Sequence, residues 1–356
     1  MLGIVGIAAG IEFLIHHYDP TRIVYKRLKA DDKYVYDEIH PRFLATDPRN
    51  LLAIHSAADA DQKRRDLIRA IWGDDRLSRD VVLVPASKID ARSGGIEDGT
   101  AVEEYLQIQM DHGLASVALH LKPRRHNGRM IIYHHGYAGT FEAHRHLIDR
   151  LGAEGYAIIA LNQLGYGDNP AYANVAPHGQ VNVHFEMSKL DHAMRFHIEP
   201  TIAAINLAVD KLGYAYVDMI GFSSGALNTV IAAAIDPRIR GSYPIAGVYP
   251  IYLREGQEIL ANGPPYFPPM LAAIGYLDMF VLGAYGGQGR RQLQIFNRYD
   301  RCCFRNTKGR LYEQAVNERA ALLSGGGFGV YIDETHADHK ISSAAIGRLI
   351  EDLRRP

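Results

Sequence analysis

Apolar positions change their period along the chain, and each change marks an element. In residues 61–72 they recur at helical spacing, so that Leu67, Ile68, Ile71 and Trp72 share one face and the charges form the opposite, solvated face. The stretch around this segment, residues 19–80, is charge-rich and helical in character. β character begins in residues 81–84 and continues in 105–109, 116–121 and 130–134. The last two are joined by a polar turn containing Asn127-Gly128, which predicts a hairpin. From there strands and helices alternate. A helix over 141–151 leads to a continuous apolar run, 156–161, of the kind buried on both faces of a parallel sheet. A loop rich in Gly, Asn and Pro follows, then a helix opening at Pro200 and ending near Leu212, a short strand over 217–220, and an alanine-rich helix ending at Asp236-Pro237. Residues 242–248 read as the next strand despite Pro244. Two more strands, 292–296 and 328–332, flank a helix over 311–323, and Ile346, Leu349, Ile350 and Leu353 give the terminal helix an apolar face. This alternation predicts an α/β fold with a mostly parallel central sheet flanked by helices. Residues 1–80 are expected to form a helical N-terminal extension or partial cap on a main domain, 81–356. That domain carries an insertion around 249–289, whose proline-stiffened aromatic centre, 263–269, either lines a substrate cavity or packs on the surface.

Charge changes the picture by exclusion. Lys and Arg number 39 against 40 Asp and Glu, a net charge of −1, so no global field favours nucleic acid or an anionic membrane. Small, uncharged or mildly polar molecules are the natural partners. The first 15 residues are apolar enough to resemble a targeting segment, yet no Lys or Arg precedes the run, Glu12 interrupts it, and it is short for a span. A buried or surface-docked helix is expected, with a signal or membrane-associating segment as the alternative and no stable membrane insertion. Cys302 and Cys303 are adjacent, where a disulfide would be strained, and two cysteines are too few for a cysteine-based structural zinc site. They are expected to be reduced thiols, which favours a cytoplasmic location.

The candidate chemistry centres on Gly221-Phe222-Ser223-Ser224-Gly225, set between a strand and a helix. A turn that sharp brings neighbouring Cβ atoms into conflict, so glycines flank the serine and its Oγ stands exposed: a nucleophile elbow. The Ser224 N–H, at the helix N-terminus, faces the place where negative charge would develop. A serine hydroxyl needs a histidine to take its proton and a carboxylate to fix the histidine's tautomer, both on loops after later strands. Asp300 follows the 292–296 strand and is the candidate acid, with Asp278 a competitor within the insertion. After the last strand come His336 and His339; His339, just before the terminal helix, is preferred as base and His336 is the alternative. His134-His135-Gly136-Tyr137 lies between a strand and a helix, so the Tyr137 N–H is the second oxyanion-hole candidate. Paired histidines also suggest metal, but no ligand motif completes them, and His144 and His146, two apart on a helix, face different ways. No metal and no cofactor is expected.

In these residues the chain, from Ser116 onward, resembles the α/β-hydrolase superfamily of serine hydrolases: His135-Gly136, Gly221 to Gly225, Asp300 and His339 arrive in that family's order. It also looks like the branch of bacterial esterases related to acetylxylan esterase and dienelactone hydrolase, from Tyr133-His134-His135-Gly136, Asp236-Pro237-Arg238-Ile239 and residues 300–304. Dienelactone hydrolases proper use a cysteine where Ser223 stands here, which sets the chain apart from their lactone chemistry. The resemblance implies an α/β-hydrolase fold and a Ser223-His339-Asp300 catalytic triad in a carboxylic-ester hydrolase acting on small-molecule esters, acylated sugars among them. The alternatives are a non-catalytic binding protein of the same fold, or a thioesterase or peptidase.

Overall fold

Buried apolar residues alternate along the central strands, and successive side chains enter two different cores. Met130 and Ile132 belong to one core, Ile131 and Tyr133 to the other; Ile159 and Ile158, and Met219 and Ile220, divide in the same way. Such strands must lie inside a sheet that is covered on both sides. The computed structural model, which describes residues 2–29, 35–77, 83–85, 101–256, 263–287 and 289–355, has that arrangement. Its strands are β1 (Leu83–Pro85), β2 (Ala101–Gln109), β3 (Ala115–Pro123), β4 (Met130–His134), β5 (Ala157–Leu161), β6 (Tyr172–Val175), β7 (Gly179–Asn182), β8 (Val217–Phe222), β9 (Ile239–Ile245), β10 (Arg291–Asn297) and β11 (Gly327–Asp333). Nine of them form one sheet in the order β1-β2-β3-β5-β4-β8-β9-β10-β11, and β6 and β7 make a separate ribbon. From β1 through β3 to β5 the pairs are antiparallel. From β5 to β11 they are parallel, so the loops that follow β4, β8, β10 and β11 emerge on one edge.

The helices are α1 (Leu2–His17), α2 (Asp19–Leu28), α3 (Pro41–Leu44), α4 (Ala57–Trp72), α5 (Arg145–Ala153), α6 (Met194–Asn206), α7 (Ser224–Ile235), α8 (Pro268–Ala273), α9 (Tyr276–Ala284), α10 (Arg310–Ser324) and α11 (Ser343–Leu353). Helices α5 and α11 cover one face of the sheet through Leu147, Leu151, Ile346 and Leu349. The other face is covered by α6, α7, α9 and α10 through Ile202, Val230, Phe280 and Val316. Each such side chain, fully buried, contributes roughly 1.5–3 kcal/mol.

Helix α4 begins in a reciprocal cap, in which Ser56 Oγ accepts the Asp59 N–H at 3.2 Å and Asp59 Oδ2 accepts the Ser56 N–H at 2.9 Å. Its Leu67, Ile68 and Ile71 are buried, and Arg64 Nε donates to the Ala234 carbonyl at 2.9 Å, near the end of α7. Ile11, Phe13 and Leu14 of α1 are exposed, which places that helix at the surface. No single helix among the described residues is long and apolar enough to cross a membrane.

Several local expectations are corrected. β3 and β4 are not a hairpin, because β5 lies between them. The turn before β4 is tied to the α5–β5 connection instead: the Asn127 N–H donates to the Gly155 carbonyl at 2.8 Å and its side-chain amide to the Glu154 carbonyl at 3.0 Å. Helix α6 opens at Met194, and Pro200 falls inside it rather than at its start. Burial of Met194, Phe196 and Ile198 outweighs the one backbone hydrogen bond that the proline lacks. Strand β9 begins and ends three residues before the predicted 242–248. In the insertion, α9 is buried along its whole length, so this part belongs to the core.

Asp278, on α9, accepts the Ala53 and Ile54 N–H groups at 3.0 and 3.1 Å and thereby anchors the chain ahead of α4. Asp278→Ala is therefore expected to leave both donors unpaired and to lower stability by about 1–3 kcal/mol. Urea unfolding checks this; unchanged stability would contradict the anchoring role.

Candidate active site

At the C-terminal end of β8 the backbone reverses within one residue. Ser223 has φ 55° and ψ −118°, a region that a residue bearing a Cβ occupies only when its surroundings force it, and α7 starts at the next residue. Glycines allow this. A Cβ on Gly221 would lie 2.0 Å from the Gly225 carbonyl oxygen, and one on Gly225 would lie 2.1 Å from that of His134. The Ser223 N–H donates to the Ile245 carbonyl of β9 at 2.9 Å, which ties the turn to the sheet. The loop after β4 passes directly over the serine, since a Cβ on Gly136 would meet Ser223 Cβ at 2.7 Å and the Phe222 carbonyl oxygen at 2.8 Å. Gly247, which sequence reasoning missed, crowds it from the other side: a Cβ there would lie 2.6 Å from the Ser223 carbonyl oxygen. The Ser224 N–H belongs to the first turn of α7, where N–H groups have no partner within the helix.

The structure brings Asp300 and His339 together. Asp300 lies on the loop after β10, His339 on the loop after β11, and Asp300 Oδ2 is 2.5 Å from His339 Nδ1. Asp300 is buried, and its Oδ1 accepts the Cys302 N–H at 2.7 Å. A carboxylate facing Nδ1 holds the proton there and leaves the Nε2 lone pair as the accepting side of the ring. The His339 ring lies against that of Phe222, centroids 4.7 Å apart, beside the serine turn. His336 is engaged elsewhere. It is fully buried, its Nδ1 accepts the Asp338 N–H at 3.2 Å, and its Nε2 faces Asp333 Oδ2 at 3.3 Å. Burial alone would push the Asp333 carboxyl up, but hydrogen bonds from His336, Ser342 and Thr335 outweigh it and hold that carboxyl well below the usual range. His336 and Asp333 thus brace the loop that carries His339.

The N-terminal segment clamps both loops, which no local pattern in the sequence announces. On α2, Arg22 pairs with Asp338 at 2.6 Å and Lys26 donates to the Ala337 carbonyl. Arg298 pairs with Asp37 at 2.9 Å, and Asn306 Nδ2 donates to the Glu38 carbonyl at 2.7 Å.

Histidines surround the serine turn, and burial keeps them neutral. Their ring pKa values are pushed down by burial first and by neighbouring histidines second, to about 4 for His135 and about 3 for His144. For His134, also lowered to about 4 by burial, a hydrogen bond to the His135 carbonyl opposes the shift. The Tyr133 hydroxyl joins His135 Nδ1 at 2.9 Å to His144 Nδ1 at 2.6 Å, and His134 Nε2 accepts from Asn228 Nδ2 at 2.9 Å. His146 Nε2 contacts the Ile341 carbonyl at 3.3 Å. The hydroxyl of Tyr137 meets His184 Nδ1 at 3.1 Å, and His184 borders a cavity of about 600 Å³ closed by Tyr266, Phe267 and Pro268 of the insertion. Ser223, Asp300 and His339 do not line that cavity.

Cys302 and Cys303 depart from expectation. They are joined in a vicinal disulfide.

A family model described as the alpha/beta hydrolase fold matches residues 129–270. Among solved structures, acetyl xylan esterase 1 from Thermoanaerobacterium sp. superposes with a TM-score of 0.56 at 15% identity, over 89% of this chain and 98% of that one. An acetyl xylan esterase from Paenibacillus sp. R4 gives 0.54 at 15%, over 85% and 97%. An esterase from Pyrococcus furiosus gives 0.50 at 18%, over 73% and 92%. No curated protein sequence matches the chain. At such identities the likeness is one of fold.

The neutral histidines set a pH dependence. Unfolded, they titrate near 6.5, and folded, near 4 for His135 and near 3 for His144. The unfolded chain therefore binds more protons between these values, and stability falls as pH is lowered from 6.5 toward 4. Glu199 acts in the opposite sense between about 4.5 and 7, because burial pushes it up to about 7. The histidine contribution is accordingly read by difference: Tm should fall less steeply with acid in His144→Gln than in the wild type. Parallel curves would contradict it.

Proposed function

On the premise of its α/β-hydrolase fold, we propose that this chain is a serine carboxylic-ester hydrolase. The observation that carries the reading is the strained Ser223 at the tip of β8, with the Gly136 backbone against it and the Asp300–His339 pair on the same edge of the sheet. Ser223 Oγ attacks the ester carbonyl carbon while His339 Nε2 takes its proton, and Asp300 stabilises the imidazolium that forms. The oxyanion is met by the Ser224 and Tyr137 N–H groups. Collapse expels the alcohol, which receives the proton from His339. A water deprotonated by His339 then attacks the acyl-enzyme and releases the acid. Because acetyl xylan esterases share the fold, small acyl groups on sugars are the first natural substrates to offer.

Hydrolysis of p-nitrophenyl acetate, butyrate and octanoate tests the reading. Ser223→Ala and His339→Ala are each expected to lower kcat by about 10³-fold or more. His336→Ala should lose stability while keeping most of its turnover, since its ring braces the loop rather than facing Asp300. Equal rates for the wild type and Ser223→Ala would overturn the proposal.

A further inference from the structure

Two and three residues beyond Asp300 the chain places its two cysteines next to the candidate base. The Sγ atoms of Cys302 and Cys303 and a ring nitrogen of His339 lie within 4.8 Å of one another, and all three residues are half-buried, within reach of small solutes. As a disulfide the sulfurs are poor ligands. Reduced, they become two thiolates beside a neutral imidazole, a donor set that suits a soft or borderline divalent cation such as Zn²⁺ and balances its charge. In a tetrahedral zinc site, with Zn–S about 2.3 Å and Zn–N about 2.0 Å, donors sit roughly 3.3–3.8 Å apart. On reduction the two sulfurs, no longer bonded, separate to that spacing, and the imidazole nitrogen, within 4.8 Å of both, needs to approach by only about 1 Å, leaving the fourth position to water.

We propose that Cys302, Cys303 and His339 form a reduction-gated inhibitory cation site: the disulfide form binds no cation, and the dithiol form captures one Zn²⁺-like ion that withdraws His339 from catalysis. The inhibitory half rests on His339 being the base; the binding half does not. Either ring nitrogen serves. Ligation through Nε2 removes the proton acceptor, and ligation through Nδ1 displaces Asp300, which then no longer orients the ring. The gating step balances with a phosphine and water: the S–S bond is cleaved, the phosphine is oxidised to its oxide, and two thiols form. Zn²⁺ then displaces two protons as the thiolates bind.

Calorimetric titration of Zn²⁺ into the full chain tests the proposal, comparing untreated protein with protein reduced by a phosphine and desalted. Ser223→Ala serves as the host, so that binding is read independently of turnover. One ion per chain is expected in the reduced protein alone, with a thiolate charge-transfer band when Co²⁺ replaces Zn²⁺. Binding should vanish in Cys302→Ser and Cys303→Ser and after alkylation of the reduced protein, and weaken at least tenfold in His339→Ala. In the wild type, reduced but not untreated enzyme should lose ester hydrolysis as Zn²⁺ is added, and a chelator should restore it. Equal binding by both redox forms, or binding that survives alkylation, would overturn the site while leaving the esterase reading intact. Cysteine-dependent binding with undiminished hydrolysis would overturn the inhibitory role. If His339→Ala were then also fully active, the esterase mechanism itself would fail.

Discussion

Ser223 is held at φ 55° and ψ −118°, which costs a residue with a Cβ about 1–3 kcal/mol, and the architecture around it is what keeps it there. Strand β8 lies between β4 and β9, so neither end of the turn can relax without breaking the ladder. Helix α7 begins at the next residue and is buried from Gly225 to Ile235, which fixes the exit direction as firmly as the strand fixes the entry. Three glycines then let the backbone of neighbouring segments come within contact of the turn, and any side chain at Gly136, Gly221 or Gly225 would overlap it. The conformation of the serine follows from close packing of backbone.

Parallel strands deliver the loops that follow β8, β10 and β11 to one edge of the sheet. Asp300 and His339 come from β10 and β11, and each is tied down by groups outside the pair: the Cys302 N–H on Asp300, and His336 with Asp333 in the loop before His339. The N-terminal segment completes the support through Arg22, Lys26 and Asp37, binding the loop of Asp300 and the loop of His339 to a common element. Around Phe222 the surroundings are polar but largely uncharged, since buried His134, His135 and His144 hydrogen-bond as neutral rings.

Features that depend on local spacing were legible in the sequence. The strands before and at the serine, the alanine-rich helix after it and the glycines flanking it all follow from period and from steric need over a few residues. What escaped depends on partners far along the chain. Asn127-Gly128 has a hairpin's composition, yet its hydrogen bonds go to residues 154 and 155, and β5 takes the place beside β3. Pro200 marks a helix start by composition, but burial of the residues ahead of it carries the helix six residues further back. Two histidines three residues apart are equivalent by spacing; burial and the choice of carboxylate separate them, His336 toward Asp333 and His339 toward Asp300. The contact of α2 with the His339 loop spans more than 300 residues, and single charges carry no address. The cysteine pair reads as reduced because adjacent residues disfavour a disulfide, whereas the structure joins the two sulfurs.

The central claim is that Ser223 is the group this architecture presents for reaction, and covalent trapping tests it most directly. After treatment with a fluorophosphonate, intact-mass and peptide analysis should show one adduct per chain, located on Ser223 and absent from Ser223→Ala. An unlabelled wild type, or an adduct on another residue, would contradict the account.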